Sequence, residues 1–208
     1  MLNLLRKDFI VLKSTQWLFL FFLAVFSLAF VPQSDFSFYF VAIYAANGSI
    51  MSAMMIDIKN NNHKFLVSLP VNRKHIVQAK YTVAIIYTLI GVSASYGIHK
   101  FIELYVPEIN KPTYSIVSIL ITIVILLGLI SIFMPLFYAF SKKGATIINA
   151  VFLIALIMFA NPTAYYINLA NENGSNGDSI LLIIAAGVLT LFIASYYLTV
   201  YLFNRKDI

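Results

Sequence analysis

Cysteine is missing from all 208 residues, so neither a disulfide framework nor a thiolate metal site can form, and the redox compartment is not legible. Charge is scarce: 11% of the chain is Asp, Glu, Lys or Arg, against about 25% in soluble domains. The phosphate-cradling pattern Gly-x-x-x-x-Gly-Lys-Ser/Thr is also absent, which removes the familiar ATP site. No His-Glu-x-x-His occurs, and His63, His75 and His99 stand far apart at the edges of apolar runs, where surface positions are expected. With no paired carboxylates inside those runs, neither a metal site nor acid/base catalysis is expected, and the chain reads as a non-enzyme that binds no cofactor of its own.

What is present is hydrophobicity. Apolar residues make up 61% of the chain and the mean hydropathy is +0.89. About 20 apolar residues in a helix cross a hydrocarbon core of about 30 Å. Six stretches qualify or come close: 15–31, 37–57, 78–99, 114–140, 144–161 and 179–203. The expected fold is an all-α membrane protein forming one transmembrane domain over 1–208. The centres of the six runs hold no ionisable residue, as the cost of an ion in hydrocarbon demands. Residues 28–34 supply no convincing cleavage site of small residues, so the first run is expected to remain as a span.

The formal charge of +6 does not indicate nucleic acid, because the basic residues lie in short clusters between apolar runs. Only Lys100 and Lys111 of the fourteen Lys and Arg fall on one side of a six-span arrangement, leaving twelve on the other. The positive-inside rule then puts both termini, residues 58–77 and the Lys142–Lys143 turn in the cytoplasm of a multi-pass cell-membrane protein. Leu2, Leu5, Phe9 and Leu12 recur at helical spacing, predicting an interfacial amphipathic helix over 1–14. Pro135 predicts a kink in the fourth span. Asn161-Pro162 and the Gly/Asn/Ser-rich 171–177 suggest a partial or re-entrant element on the outer side.

The longest cytoplasmic interruption is the part expected to receive work. Asn61 or Asn62 can cap a short helix, in which Phe65, Leu66 and Leu69 share one side while Asn62, Lys64 and Ser68 lie around it. Pro70 disfavours helix at Leu69 and ends it. Asn72 can cap the next helix, whose first turn carries Arg73, Lys74 and His75. Cations oppose the helix dipole there, so another demand, such as anionic headgroups or an acidic partner, is expected to have placed them. The same segment also fits a plain solvated loop with a positive-inside bias. The apolar edge of Phe65, Leu66 and Leu69 favours burial against the bilayer or a protein.

The run from Asp57 to Tyr81, above all Ser68-Leu-Pro-Val-Asn-Arg-Lys-His-Ile-Val77, resembles the cytoplasmic coupling segment of ABC-2 type transporter permeases. The resemblance extends more weakly over the whole chain. Its wording is most similar to that of small permeases exporting phenol-soluble modulins, which are amphipathic cytolytic peptides. It implies that Asn61 to Leu69 form a coupling helix docked on an ABC ATPase subunit, with Pro70 to Lys74 as the turn into the third span. It further implies that ATP and Mg are bound in that separate subunit, and that two permease halves, identical or not, form a homo- or heterodimer exporting amphipathic or hydrophobic cargo. Family members often carry an acid where this chain has Asn62 and His63. The absence of an ATP motif and of intramembrane carboxylates leads independently to an external ATPase. A non-transporting sensor or scaffold using 58–77 to bind a cytoplasmic partner is the alternative.

Candidate cargo-lining residues are Tyr44, Asn47, Met51 and Met55 in the second span and Asn149 in the fifth. Methionine surfaces adapt to irregular apolar partners. The competing reading of the second span is helix packing, because Ala45, Ser49 and Ala53 recur at small-x-x-x-small spacing, as do Gly91 and Ser95 in the third.

Overall fold

The computed structural model describes residues 16–32, 36–59, 72–106, 114–140, 144, 146–152, 154 and 177–205. Among them the regular elements are all helical: α1 (Gln16–Phe30), α2 (Ser37–Lys59), α3 (Arg73–Tyr105), α4 (Ile116–Ala139) and α5 (Gly177–Asn204). Residues 146–152 are also helical and stand where the fifth span is expected. Four helices are long and apolar enough to cross a membrane, and Trp17–Phe30 is a shorter apolar helix. The all-α membrane class is therefore met. The interfacial helix at 1–14, the coupling helix at 61–69 and the outer element after Pro162 fall outside the described residues.

The helices start and stop for local reasons. Asn72 caps α3, its side-chain oxygen accepting from the Lys74 backbone N–H at 3.0 Å, and Ser115 caps α4 by accepting from Ser118 N–H at 3.4 Å. At 33 residues α3 exceeds its expected span at both ends. Its additional N-terminal turn carries Arg73 to Val77, and its C-terminal extension carries an exposed Lys100–Glu103 pair at 2.8 Å. Pro135 lies inside α4, which continues only one further turn to Ala139.

α2 is the centre of the assembly, enclosed along most of its length, whereas α5 turns most of its apolar surface outward. α1 and α3 both pack on α2 and touch each other, and α4 lies along α5. The α1–α2 seam is aromatic: the Tyr44 ring stacks on Phe26 at 4.7 Å and on Phe30 at 5.5 Å. The α2–α3 seam is built on small residues. A Cβ at Gly91 would stand 2.9 Å from the Ala46 Cβ and 3.3 Å from the Ala42 carbonyl oxygen, so the two backbones approach as closely as glycine permits. Toward the end where the α2–α3 connection lies, Met51, Met54, Ile76, Val77, Phe133, Phe137 and Phe203 close one apolar cluster shared by four helices.

Candidate functional site: a hairpin clamped at both ends

α2 and α3 are consecutive and joined by residues 60–71, so whatever acts on that connection acts on this pair of helices. At its base, the Lys80 ammonium donates to the Asp57 carboxylate. Only 2% of Asp57 and 6% of Lys80 is exposed. Two charges taken from water are held only when they are paired. The pair therefore ties the last turn of α2 to the second turn of α3.

The other end of the hairpin is closed by hydrogen bonds. The His99 ring bonds to the Ser37 hydroxyl through Nε2 and to the Ser95 carbonyl through Nδ1, both at 2.8 Å. Because a carbonyl only accepts, Nδ1 carries the proton, and in the neutral ring Nε2 accepts from Ser37. Ser95 in turn donates to the Phe38 carbonyl at 2.9 Å. Phe38 and Tyr114 meet the imidazole edge-on at 5.9 and 5.2 Å. From Ser37 to Asp57 a helix rises about 30 Å, the thickness of the hydrocarbon core, so the two polar clamps fall at the two membrane faces. Between them Gly91 presses on Ala46, which leaves α2 and α3 little freedom to slide.

Two further contacts carry the hairpin to its neighbours. The Arg73 guanidinium donates to the carbonyls of Phe203 and Asn204 at 3.1 and 3.0 Å and lies 5.9 Å above the Phe203 ring. A cation unfavourable at the start of α3 is favourable at the end of α5, where carbonyls are left without helical donors. Higher up, Tyr81 Oη lies 2.7 Å from Ser195 Oγ and 2.8 Å from Thr199 Oγ1. Those two hydroxyls already donate to the Ser131 and Ser195 carbonyls, so both are acceptors for the single Tyr81 proton, which serves one of them at a time. Through this node α3, α4 and α5 are joined by hydrogen bonds in the apolar interior.

Several sequence expectations change. His99 is not a surface residue; it is buried and bonded to two partners. The demand that placed Arg73 is met within the chain by the α5 terminus and needs no headgroup or acidic partner. Lys74 and His75 are exposed. Tyr44 is enclosed between α1 and α2, the Asn47 amide donates to its own helix at Ile43 (3.1 Å), and Met51 sits in the shared cluster, so within one copy these three serve packing. Met55 is half-buried against the same cluster, as are Ile148 and Phe152 on either side of Asn149. Asn149 Oδ1 is buried with no hydrogen-bond partner among the described residues. Asn61, Asn62, His63, Lys64, Phe65, Leu66, Ser68, Leu69 and Pro70 lie outside the described residues.

Sequence reasoning missed Asp57 and Lys80 because each stood at the end of an apolar run and was counted as a boundary charge. A signal was there: one acid and one base of opposite sign at the facing ends of consecutive antiparallel helices.

A family model described as ABC-2 family transporter protein matches residues 3–204, nearly the whole chain. The chain belongs to the ABC-2 transporter family. No curated protein and no solved structure matches it. The ABC-2 permease is thus a multi-pass membrane component of an ABC transporter, in which this subunit is not the catalytic one. The clamped hairpin is the part of the permease that flanks the segment resembling a coupling element.

Proposed function

We propose that the permease is one half of an exporter of amphipathic or hydrophobic cargo, driven by a separate ABC ATPase docked on residues 61–69, and that two halves, identical or related, form the pathway. Both termini and the 60–71 connection are cytoplasmic in this reading, as the distribution of Lys and Arg requires. The observation that carries it is the clamped hairpin. A push on the connection enters two helices fixed to each other by Asp57–Lys80, Gly91 on Ala46, and Ser37–His99. Such a pair moves as one body, and Arg73 and Tyr81 pass its motion to α5. Rigid-body displacement of one packed unit against another is how alternating access is commonly achieved.

ATP and Mg belong to the partner subunit in this scheme, and the permease supplies the moving wall. Cargo contacts fall to Met55 and to Asn149. The unpartnered amide oxygen of Asn149 costs about 1–3 kcal/mol while it stays unpaired, and a second half, water or cargo would relieve it. Tyr44, Asn47 and Met51 contribute only if transport opens the α1–α2 and α2–α4 seams.

Replacing Phe65 and Leu69 together with Asp tests the docking role. The variant should reach the membrane in normal amount, while ATP-dependent transport of an amphipathic reporter by the permease–ATPase complex in vesicles is lost. Transport at the wild-type rate would show that the coupling element lies elsewhere.

A further inference from the structure

Beyond the hairpin, a groove of about 240 Å³ runs between α3 and α5 and opens outward from the bundle. Its α3 wall is Gln78, Tyr81, Thr82 and Ile85, and its α5 wall includes Phe192, Ile193, Tyr196 and Tyr197. The two walls are graded along their length. Ile85, Phe192 and Ile193 make the deep end apolar. The tyrosine rings occupy the middle. Gln78, half-buried, marks the shallow end.

Each wall continues past the groove to a cation. On α3 the stripe Ile85, Thr82, Gln78 reaches Lys74 at intervals of three and four, the spacing of one helix face, and Lys74 is exposed. On α5 the stripe Ile193, Tyr197, Tyr201 reaches Arg205, whose guanidinium lies 4.7 Å over the Tyr201 ring. The two ends are held side by side, because Arg73 bonds to the Phe203 and Asn204 carbonyls. No acidic residue lies on either stripe. Arg73 has its own work in that contact, so Lys74 and Arg205 are the charges offered outward.

We propose that this groove is a binding site for one anionic phospholipid of the cytoplasmic leaflet, with an acyl chain along Ile85, Phe192 and Ile193 and its phosphate at Lys74 and Arg205. The leaflet assignment rests on the orientation given under the proposed function. The chemistry of the site does not. Charge complementarity selects an anion, the apolar deep end selects a hydrocarbon chain, and the Gln78 amide meets the ester region between them. The volume lies below the roughly 300–1,000 Å³ of pockets for compact drug-sized ligands, which fits a slender chain. Basic pockets between spanning helices on the cytoplasmic side hold headgroups by the same means. A lipid seated here would brace the α3–α5 seam through which the hairpin's motion passes.

The test uses the full chain in detergent micelles and native mass spectrometry with phosphatidylglycerol or phosphatidylcholine of identical acyl chains. Wild type should retain one phosphatidylglycerol per chain in preference to phosphatidylcholine. Lys74→Gln and Arg205→Gln should each weaken that retention about fivefold, and together roughly 25-fold, from the attraction of one basic residue for an anionic headgroup. Both side chains are exposed, so folding should survive. Ile193→Trp, which fills the deep end, should reduce retention of both lipids. Equal retention of the two lipids by wild type, or undiminished phosphatidylglycerol in the double variant, would overturn the proposal. So would disulfide linkage of two copies through Thr82→Cys, which would place a second copy in the groove. Labelling of Lys74→Cys in intact cells by a membrane-impermeant thiol reagent would relocate the leaflet and the orientation while leaving the lipid site itself intact.

Discussion

Asp57→Ala removes one partner of a buried ion pair and leaves the Lys80 ammonium at 6% exposure beside an apolar cluster that includes Ile58, Ile76, Val77 and Tyr81. Removing one member of such a pair costs about 3–5 kcal/mol. A chain of this size loses about 2–4 °C of melting temperature per kcal/mol, so the drop should be on the order of 10 °C. Lys80→Ala should cost a similar amount for the mirror reason. The double variant Asp57→Leu/Lys80→Met should recover most of the loss, because well-packed apolar replacements of a buried pair are often neutral or better. The assay is the fraction of monodisperse protein left after heating detergent-solubilised permease, measured across the cycle of Asp57→Ala, Lys80→Ala and Asp57→Ala/Lys80→Ala, with Asp57→Leu/Lys80→Met as the repacked comparison. The expected interaction energy is at least about 2 kcal/mol, within the range measured for residues in contact. Single variants that each shift the melting temperature by less than a degree, with an additive double, would refute the claim that the pair ties α2 to α3.

Two more outcomes follow from the same geometry. Arg73→Ala should lower stability by about 1–2 kcal/mol, discounted for the half-exposed site from the larger figure for bonds to charged groups, and should raise hydrogen exchange in the last turn of α5. Arg73→Lys should restore only part of that protection, since an ammonium lacks the guanidinium's fork. At the helix contact, Gly91→Leu should destabilise the fold by about 1–3 kcal/mol through overpacking against Ala46 and the Ala42 carbonyl. Gly97→Leu in the same helix meets nothing within 4 Å and serves as the tolerant control in the same heating assay.

Much of this architecture is legible in the chain because the bilayer imposes a simple rule. Apolar runs of the right length become helices, and α2, α4 and α5 begin and end within a few residues of where hydropathy places them. The Asn72 cap is also readable, since an Asn ahead of a helical pattern has few other uses. Long-range pairing is not readable in this way. The partners of Arg73 are carbonyls 130 and 131 positions away, and no local pattern names a carbonyl as the acceptor. Tyr81, Ser195, Thr199 and Ser131 each look like ordinary span residues until the helices are assembled. Met51 and Asn47 show the reverse difficulty, because the same residues suit a cargo surface and a packed seam, and only the neighbours α1 and α4 decide which side of α2 is filled.

The most direct measurement compares what is recovered with wild-type permease and with the Phe65→Asp/Leu69→Asp variant when each is affinity-purified from its native membrane and quantified by mass spectrometry. The predicted result is an ABC ATPase subunit in near-stoichiometric amount with wild type, lost from the variant although equal permease is present in the membrane. Equal ATPase recovery with both forms, or none with wild type, would contradict the account in which force enters through residues 61–69 and is carried by the clamped hairpin.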